Sequence, residues 1–259
     1  MSRVSEPLLD ISGLTLRFGG VQALSDVDVR VPAGTVCGVV GPNGAGKTSL
    51  FNCICGYYRP TAGTIRALGH EVTGIPPYRL AALGLARTFQ HATLQPDATV
   101  LENALAGGHT RIAGDALSCA LRLPRVRRDE RMLRDEAREL LRRLSLEHVA
   151  ATPAGALAYG SQKRLELARA LLARPRLLLV DELASGLTQG EVMELAELIS
   201  ALRDELDVTV LLVEHHMGMV AAVTDTVIVL VQGRKVAEGT AAQVQEDPVV
   251  VSAYLGEAA

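Results

Sequence analysis

Gly41-Pro42-Asn43-Gly44-Ala45-Gly46-Lys47-Thr48 places glycines, a lysine and a hydroxyl at the spacing G-x-x-x-x-G-K-[ST]. Residues without a Cβ let a backbone wrap round phosphate oxygens and turn its N–H groups inward as an anion-binding nest. A helix opening at the loop adds the positive end of its dipole. The chemistry expected is binding of a nucleoside triphosphate. Lys47 would reach the β- and γ-phosphates and Thr48 would hold Mg²⁺. Pro42, Asn43, Ala45 and Ser49 complete the cradle. The alternative is a glycine-rich turn that binds nothing, which a strand before the loop and a helix after it argue against.

A second group lies downstream, in Leu177-Leu178-Leu179-Val180-Asp181-Glu182. An apolar run that ends in two acids fits a buried parallel strand with carboxylates at its ligand-binding edge. Asp181 is expected to hold Mg²⁺, which takes few carboxylates and keeps waters. Glu182 is expected to polarise the attacking water as general base. A strand ending in Asp-Glu says little by itself; after a phosphate loop in the same chain it says much more.

The elements that must carry these groups are legible in outline. Residues 36–40 read as a buried strand before the loop and 48–55 as the helix after it. Residues 8–18 and 23–31 alternate as strands about a Gly19-Gly20 turn. Strand readings follow at 64–68 and 85–90, with a short helix from Pro76-Pro77 to Leu83 between them. From 99 to 155 strand signals vanish and helical ones dominate. Beyond that, helices at 161–173, 191–206 and 215–223 alternate with strands at 177–180, 208–213 and 226–231. Gln232-Gly233-Arg234 then turns into a last strand at 235–238. The pattern predicts an α/β fold with a mainly parallel core sheet, an antiparallel β region at the N-terminus and an α-helical subdomain. The organisation expected is one ATPase domain, with core at 1–98 and 156–259 and helical subdomain at 99–155.

With 259 residues, 48% of them hydrophobic, the chain can bury a large core. The net charge of -3 gives no general attraction to nucleic acid. Arginines crowd 122–143, but acids are interspersed, the pattern of a solvated helix face with i,i+4 pairs. No stretch approaches the ~20 apolar residues needed to span a bilayer. Cys37, Cys53, Cys55 and Cys119 form no zinc or disulfide spacing and read as small core residues of a reducing compartment.

The phosphate loop, Phe89-Gln90, Leu157-Ala158-Tyr159-Gly160-Ser161, Asp181-Glu182 and His215 stand in an order that resembles the nucleotide-binding subunits of ATP-binding cassette (ABC) transporters. The resemblance runs from about residue 8 to 256. It implies that Leu157 to Ser161, with Tyr159, Gly160 and Ser161 at a helix N-terminus, faces the γ-phosphate held by a second subunit. It implies Gln90 as a Mg²⁺ contact, His215 as the switch histidine on the γ-phosphate and Phe18 as the ring stacked on adenine. The catalytic residues implied are Glu182, His215 and Lys47. Phe18-Gly19-Gly20, Arg87-Thr88-Phe89-Gln90 and Ala253-Tyr254-Leu255-Gly256-Glu257 resemble more narrowly the ATPase subunits of branched-chain amino-acid importers. Urea and amide importers and the lipopolysaccharide-export ATPase are similar.

That likeness implies ATP and Mg²⁺ as cofactors. Its partners would be a second nucleotide-binding subunit, transmembrane permease subunits and, indirectly, a periplasmic or surface binding protein, with no nucleic acid. The implied place is peripheral, on the cytoplasmic face of the membrane. Some positions depart from the family pattern. Ala158 stands for serine, Ser161 for glutamine, Leu183 for proline and His216 for an acid, and 184–189 lacks the usual Asn/Asp-Pro ending. These departures suggest a rival, an ATP-binding regulatory module without turnover. A DNA or translation ATPase would carry a coiled coil or a second cassette.

Overall fold

A computed structural model describes residues 7–88, 94–111 and 124–255. The chain divides into two compact units, one of Met1–Arg87 with Arg176–Ala259 and the other of Thr88–Pro175.

The first unit holds two sheets. β1 (Leu9–Phe18) and β2 (Val21–Val31) form an antiparallel hairpin, and β4 (Ala62–Ala67) and β5 (His70–Glu71) extend it in the order β2-β1-β4-β5. Alternation in β1 sends Leu9, Ile11, Leu14 and Leu16 into the core, as a strand with one solvated face requires. The second sheet contains β3 (Val36–Val40), β6 (Leu85–Arg87), β7 (Leu177–Asp181), β8 (Thr209–Val213), β9 (Thr226–Val231) and β10 (Arg234–Gly239). Its order is β10-β9-β3-β8-β7-β6, parallel throughout except for the edge strand β10. Every residue of β3, β7 and β8 is buried. Unbroken apolar runs are what strands covered on both faces need.

Helices α1 (Lys47–Ile54), α2 (Pro77–Leu83), α6 (Gln189–Leu206), α7 (Met217–Val223), α8 (Ala241–Glu246) and α9 (Pro248–Leu255) complete this unit. The second unit carries α3 (Val100–Gly107), α4 (Pro124–Arg143) and α5 (Tyr159–Leu172). In α4 the residues Val126, Leu133, Ala137, Leu140 and Leu141 are buried on one stripe. Its charges pair: Glu139 accepts from Arg142 and Arg143 on the same helix, and Glu136 accepts from Arg111 and Arg174 outside it.

Several element starts differ from the sequence reading. α6 begins at Gln189 because Thr188 and Glu191 form a reciprocal capping box, so Glu191 is its third residue. α5 begins at Tyr159. α7 begins at Met217, because His216 is its extended N-cap, so His215 lies in the link from β8 rather than on the helix. β6 stops at Arg87. Phe89, Gln90 and Cys119 lie outside the described residues, as do Gly256 and Glu257.

Candidate functional site

Strand β3 hands the chain directly to the phosphate loop, and α1 begins at Lys47. Gly46 caps α1 in the left-handed region at φ 101°, with no side-chain cap and no acid in the first turn. The helix N-terminus therefore keeps its donors and positive dipole for an anion. A Cβ on Gly46 would sit 2.7 Å from the Ala23 carbonyl oxygen, so the loop is pressed against β2 by a residue that tolerates it. Behind it, Gly233 donates its N–H to the Ala45 carbonyl at 3.0 Å and accepts from Ser25 N–H at 2.8 Å. The β9–β10 turn thus braces the loop, a part that the sequence reading took only as a hairpin.

Lys47 is buried, and its Nζ donates to the Gly41 and Pro42 carbonyls at 2.6 and 2.9 Å. Asn43, Gly44 and Thr48 are exposed, Ser49 half-buried and Ala45 buried. Oxygen donors with a nest and a lysine suit a polyphosphate and a hard cation.

Asp181 ends β7 and is nearly fully buried. Arg87, at the end of the neighbouring strand β6, donates to its Oδ2 at 2.6 Å. The same guanidinium donates to Asn52 Oδ1 at 2.7 Å and lies over Phe51 and Tyr57 at 5.7 and 6.0 Å from their ring centres. A buried carboxylate needs such a partner, because desolvation of an unpaired charge costs several kcal/mol. Arg87 was not singled out for this role from sequence. The parallel β6–β7 pairing is what brings it there.

Glu182 follows in the left-handed region at φ 47°, with its N–H donated to the Val213 carbonyl at 2.9 Å. Non-glycine residues held there carry about 1–3 kcal/mol of strain, which clusters at functional sites. The next two residues, Leu183 and Ala184, are fully buried. Asp181 pairs with Val213 of β8, so the residues after β8 stand beside those after β7. Those residues are Glu214, buried, and His215, whose side chain is 53% exposed. The His215 ring lies 4.5 Å from that of His216, centre to centre. β8 is flanked by β3 and β7, so the phosphate loop, Asp181-Glu182 and His215 all leave the carboxyl edge of three adjacent strands. That edge is where parallel sheets bind ligands.

Phe18 ends β1 half-exposed and meets Tyr58 edge-on at 5.1 Å. In the second unit, α5 opens with Ala158 as N-cap and no side-chain cap, so Tyr159, Gly160 and Ser161 form an uncapped first turn. Lys163 lies 5.3 Å from the Tyr159 ring centre and pairs with Glu166 at 3.4 Å, both buried. Gln90 cannot be placed, being outside the described residues.

Comparison with known proteins accords with this geometry. The family described as "ABC transporter" matches residues 24–185, and "Branched-chain amino acid ATP-binding cassette transporter" matches residues 234–259. The high-affinity branched-chain amino acid transport ATP-binding protein BraF of Pseudomonas aeruginosa is 44% identical over 98% of this chain and 100% of its own. LivG of Escherichia coli, described by the same function, is 42% identical over the same shares. Among solved structures, the ADP conformation of MJ1267, an ATP-binding cassette of an ABC transporter, aligns with a TM-score of 0.85 at 29% identity, over 97% of this chain and 100% of that one. Sequence, sheet order and relatives agree, and the chain belongs to the ATP-binding, ATP-hydrolysing subunits of ABC transporters.

Proposed function

We propose that this subunit powers the uptake of branched-chain amino acids or closely related small solutes through separate permease subunits. The observation that carries the reading is the convergence of loop, acid pair and histidine on one sheet edge in a chain 44% identical to BraF along nearly its whole length. No helix among the described residues is long and apolar enough to cross a membrane, which fits a chain that works beside membrane subunits.

The catalytic work follows from position. Gly41 to Gly46 enclose the phosphates with backbone N–H groups, and Lys47 exchanges its two loop carbonyls for the β- and γ-phosphates. Ser49 and Thr48 complete the cradle. Thr48, Asp181 and Gln90 would hold Mg²⁺, which would supply positive charge against the phosphate oxygens. Glu182 takes the proton of the attacking water. His215 donates to the γ-phosphate. Phe18, supported by Tyr58, stacks on adenine. Tyr159, Gly160 and Ser161 of a second subunit close over the γ-phosphate with the uncapped start of α5. Residues 99–155 act as the helical subdomain of one ATPase domain. The subunit sits on the cytoplasmic face, and a binding protein delivers solute to the permeases. It needs no nucleic acid.

The test is phosphate release by the purified chain and by its complex with the permeases, with uptake of labelled leucine measured alongside. Glu182→Gln is expected to lower turnover at least about 100-fold while ATP binding persists. Tight ATP binding by the wild type with no turnover in the complex overturns the reading in favour of a regulatory module.

A further inference from the structure

Glu214 closes the apolar strand β8 with a carboxylate whose side chain is fully buried. Its Oε1 accepts the Ala184 N–H at 2.8 Å, from the turn that follows Asp181-Glu182. Its Oε2 is buried without a hydrogen-bond partner among the described residues. That oxygen lies 4.0 Å from Nδ1 of His215. A buried acceptor left unmatched is costly and rare in folded proteins. Burial raises the Glu214 acid above its ordinary value, offset in part by the Ala184 N–H and by the ring and backbone N–H of His215, with Glu182 pushing the same way as burial.

We propose that Glu214 is a positioning residue for His215: Oε2 engages Nδ1 so that the proton stays on Nε2, and Oε1 ties this setting to the turn after β7. The inference rests on the reading of His215 as the donor to the γ-phosphate. The protonated form of the acid gives that result. As a carboxylic acid, Glu214 donates its O–H to Nδ1, and the neutral ring carries its proton on Nε2. As a carboxylate, it accepts from Nδ1–H, and Nε2 then carries a proton only in the charged ring. Without Glu214 the neutral ring can place its only proton on Nδ1, and Nε2 then faces phosphate as an acceptor. Closing 4.0 Å to hydrogen-bond length takes about 1 Å of ring movement, a small step for a half-exposed side chain. The ring of His216 lies beside it, tilted by 35°. The Ala184 bond gives the arrangement a second consequence. A shift of the turn after β7 pulls on Oε1 and so on the histidine's partner.

The direct test is ¹⁵N NMR of histidine-labelled wild-type protein, with the His215 signals assigned by H215A. The expected spectrum has His215 protonated at Nε2 at neutral pH; a neutral ring protonated at Nδ1 overturns the proposal without any variant at Glu214. E214L, similar in volume and without polar atoms, is expected to shift His215 toward the Nδ1–H form and lower kcat about tenfold or more, with KM for ATP nearly constant. E214Q should rescue turnover, because its amide oxygen can take the Ala184 N–H while its N–H donates to Nδ1. In an H215A background E214L should cost little further; an equal loss there assigns Glu214 a merely structural role and overturns the proposal. If H215A alone keeps full turnover, the reading of His215 fails, an outcome distinct from a wrong tautomer in an enzyme that needs His215.

Discussion

Arg87 and Asp181 form a buried ion pair at the carboxyl edge of the core sheet. Removing the guanidinium takes a charge-assisted hydrogen bond from a carboxylate that is nearly fully buried. Arg87→Met is therefore expected to cost about 3 kcal/mol of stability, read by urea denaturation, with the midpoint moving and the slope unchanged. Turnover should fall as well, because Oδ2 of Asp181 loses the guanidinium that orients it. The types and spacing of Lys47, Asp181 and Glu182 were legible in the sequence as local motifs, whereas His215 stood out only through the family resemblance. Arg87 and Glu214 were not legible. Their roles arise only when crossover connections set β6 and β8 on either side of β7, and nothing local to Arg87 names Asp181. One signal did exist for Glu214: a carboxylate directly after five residues of buried strand, beside a histidine.

At the scale of elements, the capping box of α6 offers a clean measurement. Thr188 accepts from the Glu191 N–H, and Glu191 Oε2 accepts from the Thr188 N–H at 2.9 Å. Thr188→Ala is expected to cost about 1 kcal/mol, read as a shift in the urea midpoint. In the helical unit, Glu136 is held below its ordinary value, first by its hydrogen bond from Arg111 and then by the charges of Arg111 and Arg174. Because the folded state lowers this acid, its contribution is present above the unfolded value near 4.5 and is lost as pH falls through the folded value. Thermal melts from pH 7 downward should therefore drop more steeply in the wild type than in Glu136→Gln once pH passes below that point. Element type was readable because buried strands are unbroken apolar runs and α4 repeats its apolar residues on one stripe. Starts were read two residues late at α5 and α6 and two early at α7; at α6 the Thr188–Glu191 capping box, rather than apolar periodicity, sets where the helix opens.

For the whole molecule, burial controls the thiols. Desolvation pushes Cys37 up to about 12 and Cys53 and Cys55 up to about 11. In a Cys119→Ser background, a thiol reagent at pH 8 is expected to label nothing until the fold opens, so labelling should track global unfolding in urea. Fast labelling of the native protein would contradict this burial. The α/β class and the parallel core followed from alternating strands and helices, whereas the sheet order did not, because local patterns leave crossovers unspecified.

Gly233 lies more than 180 residues after the loop that it braces. A Cβ there would come within 2.6 Å of the Ala23 carbonyl oxygen. A random-mutagenesis screen for lost nucleotide affinity should therefore return hits at this distal codon. A geneticist reading the primary structure would file them as long-range effects, although they act by unseating the wall behind Ala45.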